Sequence, residues 1–256
     1  MVSERPATAY LPLFVAALAA TLSLGYAQPA SAGPQTLREG LFGDRPASGR
    51  SSSPPIARYV SQEGDAFILD RSQTSVFMKF ESSPEILALR PHPAPRGDVI
   101  YKNDLGEPVL RATRLGGLTI FTPDRPGGSP AALAGAGPAL RLAPLSPQAL
   151  LERLAQASAK ATRAARRLIP FEADASPASS AVVADAATVT AEAVVRMSRR
   201  PDGRNLLSQF KKVKLVEGRK PGAAVHGDEM RITVSPADGL AGRPSSDKIM
   251  QAAGSR

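Results

Sequence analysis

Residues 96–122, RGDVIYKNDLGEPVLRATRLGGLTIFT, constrain the fold more than any other stretch of this chain. Their β-branched, aromatic and long apolar residues are separated by turn-forming residues, a pattern typical of short antiparallel strands. Asn103–Gly106 supplies one turn, in which Asn or Asp opens the turn and glycine takes the left-handed position. Gly116 and Gly117 supply a second turn. The stretch therefore predicts a three-stranded meander.

Four further strands are predicted upstream, because short apolar runs alternate there with turn sequences. They cover residues 58–61, 66–70, 75–80 and 86–89. Together with the meander, they indicate a small antiparallel sandwich or an open barrel of about seven strands.

The second half of the chain predicts helices and a few more strands. Ser146-Pro147 and Ser176-Pro177 each place a hydroxyl at an N-cap and a proline at the first helical position. Small and apolar residues then recur at spacings of three and four, so we expect an antiparallel helix pair. Residues 211–217 and 230–235 predict strands of a second hairpin or sheet, and residues 247–253 predict a terminal helix.

The predicted fold class is α+β: the sandwich or open barrel, then the antiparallel helix pair and a short C-terminal hairpin. Composition divides the chain into five segments. They are a signal peptide (1–32), a flexible leader (33–55), a β-rich domain (56–122), a Pro/Gly/Ala linker (123–145), and the helix pair with the C-terminal hairpin and terminal helix (146–256).

The N-terminal segment predicts export. An apolar run from Tyr10 to Leu24 follows a weakly charged start, and it is shorter than the roughly 20 residues that span a bilayer. Small residues then provide cleavage sites after Ala32 or Ala27. We therefore expect a periplasmic or secreted protein, with an uncleaved N-terminal anchor as the alternative.

The chain has no cysteine and only two histidines, His92 and His226, which are far apart in the sequence. This composition excludes disulfides and removes the commonest zinc ligands. The motifs of serine hydrolases, phosphate-loop enzymes and zinc proteases are also absent from the sequence. We therefore predict no metal and no cofactor, and favour a protein that is not an enzyme.

Four charged residues of the meander are candidate ligand-binding residues: Asp98, Asp104, Arg111 and Arg114. An arginine at the rim of the sheet beside Asp98 or Asp104 could form a structural ion pair, or it could receive a carboxylate or phosphate. Paired carboxylates can also perform acid–base chemistry. The same residues therefore support an alternative function, that of an unrecognised periplasmic hydrolase.

Residues 196–220 hold nine basic residues against two acids, in a chain of net charge +9. Phe210 is the single aromatic residue of this span, which argues against a nucleic-acid partner. An anionic lipid, a glycan or an acidic envelope protein fits better, and peripheral association with a membrane would follow. The residues we expect to carry it are Arg199, Arg200, Lys211 and Lys212.

Three motifs give the chain a resemblance to a family of uncharacterised exported bacterial proteins with a domain of unknown function. They are FILDRS at 67–72, PRGDVIYKNDLGEPVLRATRLGGLTIFTP at 95–123 and GRPSSDKI at 242–249. The resemblance implies export and a β-rich front half, but it implies no reaction, cofactor or partner. The leading hypothesis is therefore an exported, non-enzymatic protein that binds a protein partner or an anionic ligand at the bacterial cell envelope. A purely structural assembly subunit is a third reading.

Overall fold

The computed structural model describes residues 54–255. The predicted signal peptide and nearly all of the predicted leader lie outside the described residues. The predicted α+β class is confirmed: an antiparallel barrel is followed by helices and a second, four-stranded sheet.

Eight antiparallel strands form a closed barrel in which each strand pairs with its neighbours in sequence and β8 returns to pair with β1. The strands are β1 (Ile56–Ser61), β2 (Ala66–Asp70), β3 (Val76–Phe80), β4 (Ile86–Pro93), β5 (Val99–Lys102), β6 (Pro108–Ala112), β7 (Leu118–Thr122) and β8 (Arg125–Ala136). The seven strands predicted from the sequence are therefore confirmed.

Strand β8 closes the barrel from within residues 123–145, for which the composition predicts a linker. Its sequence contains Pro126 and Pro130, and proline removes a donor from a ladder. Pro126 lies where the register shifts between β7 and β8, and Pro130 needs no N–H there because its carbonyl accepts from the Gln62 N–H at 2.9 Å. Pairing with β1, far away in the sequence, forms this strand, and local propensity does not report such pairing.

Helix α1 (Pro147–Ala165) begins as predicted, since the Ser146 hydroxyl accepts a hydrogen bond from the Ala149 N–H at 3.2 Å. Helices α2 (Ser180–Ser198) and α3 (Gly203–Ser208) follow, and α4 (Ser246–Gly254) ends the fold. Helices α1 and α2 pack against each other, and the Lys160 ammonium bridges to Glu192 at 2.6 Å.

The second sheet has the order β11–β12–β10–β9. Its strands are β9 (Phe171–Asp174), β10 (Lys212–Glu217), β11 (Gly222–His226) and β12 (Glu229–Val234). The two predicted strands, now β10 and β12, are parallel neighbours in one sheet, and the C-terminal hairpin is formed by β11 and β12. Strands β9 and β11 were not predicted, because their sequences, FEAD and GAAVH, contain few of the β-branched and aromatic residues that indicate a strand.

Two separate cores result. One fills the barrel around Tyr59, Phe67 and Met78, and the other lies between the helices and the second sheet. A third apolar cluster, which includes Phe77 and Leu240, joins the barrel to the 3-10 segment Pro236–Gly242. Among the described residues, no helix combines the length and apolar character that crossing a bilayer requires.

Candidate functional site

Strand β4 changes partner halfway along its length. Its first half, Ile86–Leu89, pairs with β3, and its second half, Arg90–Pro93, pairs with β5. After Lys102 the chain turns away toward β6, so the first half of β4 faces the turn 103–107 without pairing to it. The segment Arg243–Ser246 contacts both sides of this opening.

Arg243 is the most buried charged group at this junction, with a side chain only 3% exposed. Its Nη2 donates to the backbone carbonyl of Ile86 at 2.7 Å, and its Nε donates to Asp185 of α2. Its Nη1 lies 3.6 Å from Glu85. One guanidinium therefore ties the barrel to the helical half.

The two serines that follow each bind a carboxylate of the barrel. Ser245 donates its N–H and its hydroxyl to Asp104 at 2.9 and 2.6 Å. Ser246 donates the same two groups to Glu85 at 2.9 and 2.5 Å. Burial raises the pKa of Glu85 despite the opposing effects of Arg243 and Ser246.

Arg196, from the basic span, belongs to this network as well. Its Nη1 donates to the Ser246 hydroxyl at 2.5 Å, and its Nη2 donates to Asp247 at 2.6 Å. The charged groups of the junction therefore satisfy one another, which makes their role structural.

A cavity of about 450 Å³ lies beside the junction, bordered by the barrel, the loop between β10 and β11, and the start of α4. Besides the buried Arg243 of the junction, four basic residues line it: Arg90, Arg219, Lys220 and Lys248. We call this cavity the basic cleft. Arg90 stands where β4 begins to pair with β5, and Lys248 lies in the first turn of α4.

None of these four side chains forms an ion pair with another residue of the range 54–255. The cleft also contains two acids, Asp104 and Asp238. Asp104 is bound to Ser245, and Asp238 is exposed. The excess of unpaired positive charge makes the cleft a candidate receptor for an anion.

A second cavity, of about 520 Å³, opens at the end of the barrel that carries Glu85. Its wall is largely apolar and includes Phe80, Val109 and Phe121, while Arg196 and Asp247 lie at its edge. Those two residues bind each other. This barrel mouth therefore has an apolar wall but no unpaired cation, and it is a weaker candidate for a charged ligand.

The structure brings three of the four predicted meander residues together. Arg111 donates from Nε and Nη2 to one oxygen of Asp98, at 2.9 and 2.5 Å, and the Arg114 N–H donates to the other oxygen at 3.2 Å. The hydrogen bond from Arg111 lowers the pKa of Asp98. The arrangement is an ion pair at the rim of the barrel.

Asp104 does not join that group. It follows β5, whereas Asp98 precedes β5, so the two carboxylates lie at opposite ends of this strand. Asp104 instead contacts Ser245 and borders the basic cleft.

The four basic residues predicted to bind an anionic surface have separate environments. Arg200 pairs with Asp202 at 2.8 Å, Lys212 pairs with Glu229 at 3.3 Å, and Lys211 lies 3.9 Å from Asp228. Arg199 is exposed and has no ion-pair partner among residues 54–255. The span therefore exposes less uncompensated positive charge than its composition indicates, because β10 places its lysines beside acids of neighbouring strands.

Sequence reasoning missed Arg90 and Lys248, which are isolated basic residues in their segments. It placed Arg219 and Lys220 within the basic span but did not distinguish them from their paired neighbours. The motif GRPSSDKI was singled out, and it supplies both Arg243 of the junction and Lys248 of the cleft. Within the described range, no group of three or more His, Asp or Glu side chains is placed to hold a metal ion.

Comparison with known proteins identifies one matching family. Its model, described as Domain of unknown function (DUF4908), matches residues 36–253. No curated protein and no solved structure matches the chain. The matched range includes the barrel, the junction and all four basic residues of the cleft.

Proposed function

Since the chain belongs to the DUF4908 family, whose description names no reaction and no ligand, we propose from the geometry of the basic cleft that this protein binds an anionic ligand without transforming it. The observation that carries the proposal is the set of four cations around one cavity: Arg90, Arg219, Lys220 and Lys248. Elsewhere in the basic span, most cations have acidic partners.

Unpaired cations that share a concave site repel one another, and a bound anion relieves this repulsion. The effect is greater in a cleft than on an open surface, because the protein wall excludes part of the screening water. The cleft also lies within the volume range of small-molecule sites, about 300–1,000 Å³. These points favour a small anion over an extended polymer.

The hydrolase alternative needs a carboxylate that is free to act on a substrate. Asp98 is bound to Arg111, and Asp104 accepts two hydrogen bonds from Ser245. The Ser245 hydroxyl is itself engaged, since it donates to Asp104 and caps α4 by accepting from the Lys248 N–H at 3.1 Å. This geometry favours binding over catalysis.

We place this activity at the bacterial cell envelope on the basis of the signal-peptide pattern in residues 1–32. N-terminal sequencing of the protein recovered from the periplasm or medium should begin at Gly33 or Gln28. An unprocessed chain confined to the cytosol would contradict export and would leave the proposal for the cleft standing.

The proposed binding activity is tested with two trivalent anions of different chemistry, pyrophosphate and citrate. Isothermal titration calorimetry of the purified protein at low salt should detect binding of at least one, weakened by added salt. The variant Arg219→Gln/Lys220→Gln should lose that binding. The control Arg199→Gln/Arg204→Gln removes two exposed arginines from the same span but outside the cleft, so it should bind normally.

Equal loss of binding in both double variants would mean that the overall charge attracts the anion. Absence of binding by the unaltered protein would reject the proposal. A protein partner remains the second candidate, and affinity purification from detergent-solubilised envelopes tests it. A stoichiometric partner whose capture survives the cleft variant would locate the function elsewhere on the molecule.

A further inference from the structure

We infer that the anion held in the basic cleft is a phosphate ester; this inference rests on the proposed anion-binding function and specifies its ligand. It depends on three features of the cleft: the directions from which its cations come, its net charge and its apolar wall.

The four cations of the cleft come from three separate parts of the fold. Arg90 lies on the barrel, Arg219 and Lys220 lie in the loop before β11, and Lys248 lies on α4. A planar carboxylate is matched by a single guanidinium fork, whereas a phosphate group presents several acceptor oxygens in different directions. Cations that three elements place around one cavity therefore favour a tetrahedral anion.

The charge of the cleft points to the same class of ligand. Its wall holds the four unpaired cations against the two acids Asp104 and Asp238, while the charge of Arg243 is compensated by Asp185 and Glu85. A phosphate monoester carries between about −1.5 and −2 charges near neutral pH. It would therefore neutralise most of the excess charge of the cleft, whereas a single carboxylate would leave half of it unbalanced.

An organic group on the phosphate would also find a surface to contact. The cleft wall includes three half-buried apolar residues, Ala88, Pro221 and Ala241. A small ester, with charge at one end and an apolar group at the other, matches this combination better than inorganic phosphate.

Three backbone N–H groups at the start of α4 are already engaged and are therefore not available to the anion. The N–H groups of Ser245 and Ser246 already donate to Asp104 and Glu85, and that of Lys248 donates to the Ser245 hydroxyl. Recognition therefore depends on the four cationic side chains. Each of them can be substituted without removing a hydrogen bond of the junction.

The test compares two aromatic dianions, phenyl phosphate and phthalate, by calorimetry with the purified protein at low salt and slightly alkaline pH. Phenyl phosphate should bind at least about tenfold more tightly, a difference of about 1.4 kcal/mol. Arg90→Gln and Lys248→Gln should each weaken the binding of phenyl phosphate by about tenfold. Arg199→Gln should leave this binding unchanged.

Equal or tighter binding of phthalate would overturn the phosphate inference while leaving anion binding intact. Failure of phenyl phosphate, phthalate, pyrophosphate and citrate alike would overturn both. Co-sedimentation with phosphatidylcholine vesicles containing phosphatidic acid then identifies the source of the phosphate. Vesicle binding that requires Arg219 and Lys220 indicates a lipid headgroup, and phenyl phosphate binding without co-sedimentation indicates a soluble ester.

Discussion

The N–H and the hydroxyl of Ser246 both donate to the carboxylate of Glu85, 161 residues earlier in the chain, at 2.9 and 2.5 Å. Glu85 lies just before β4 of the barrel, and Ser246 begins α4. These hydrogen bonds join the two halves of the fold beside the basic cleft. The shape of the cleft therefore depends on the integrity of the junction.

Replacing Ser246 by alanine should destabilise the protein. The change removes one of the two hydrogen bonds that Ser246 donates to the buried Glu85, and it removes the hydroxyl that accepts from Arg196. A buried polar group left without a partner costs about 1–3 kcal/mol. Thermal unfolding followed by circular dichroism measures the change.

Ser255→Ala is the matched control, because this serine is exposed at the other end of α4. This control variant should have nearly the same melting temperature as the unaltered protein. An unchanged melting temperature for Ser246→Ala would show that this hydrogen bond does not hold the junction together.

Glu85→Gln should reveal the raised pKa of Glu85. A carboxyl whose pKa is raised on folding contributes stability that is fully present below its ordinary pKa and is lost as the pH rises through the folded value. Glutamine has nearly the same shape and does not ionise. The melting temperature of the variant relative to the unaltered protein should therefore increase by a few degrees as the pH rises above about 4.

Measuring the difference between the two proteins at each pH cancels the titration of all other groups. A relative melting temperature that is constant or falls with increasing pH would mean that Arg243 and Ser246 outweigh the burial of Glu85.

Asp98→Asn should have the opposite pH dependence. Arg111 lowers the pKa of Asp98, so this carboxylate contributes stability above its ordinary pKa and loses it as the pH falls through the folded value. The variant should melt a few degrees lower than the unaltered protein at neutral pH, and the difference should shrink in acid. Asp124→Asn, at the exposed turn between β7 and β8, is the control. An equal effect of both variants would contradict a specific role for the Arg111 pair.

Gly242→Ala should be severely destabilising, because a Cβ at this position would lie 1.9 Å from the backbone oxygen of Ser235. Gly242 directly precedes Arg243, so the required backbone shift would also move the junction. Overpacking of this kind should lower the free energy of unfolding by about 1–3 kcal/mol or more. Gly222→Ala is the control, since its Cβ would meet nothing within 4 Å. Chemical denaturation of both variants measures the contrast, and similar midpoints would refute the packing argument.

Much of the barrel could be predicted because β1 to β7 are short runs with clear turns between them, such as Asn103–Gly106. The closing strand, β8, could not be predicted, because its prolines (Pro126 and Pro130) and small residues are typical of a linker. Its pairing with β1 is not visible in the sequence. An ion pair between an arginine of the meander and Asp98 or Asp104 was one of two readings of the meander, but the sequence did not single out Arg111 and Asp98 as the partners. The basic cleft depends on Arg90 and Lys248, 158 positions apart in the sequence, and no local pattern brings them together.

The central claim, that the basic cleft binds an anion, is tested most directly by crystallising the protein with tungstate, a tetrahedral dianion whose tungsten atom is located by anomalous scattering. The account predicts an anomalous peak within reach of Arg90, Arg219, Lys220 and Lys248, absent from crystals of the Arg219→Gln/Lys220→Gln variant. Peaks confined to other surfaces, or an empty cleft at saturating tungstate, would contradict it.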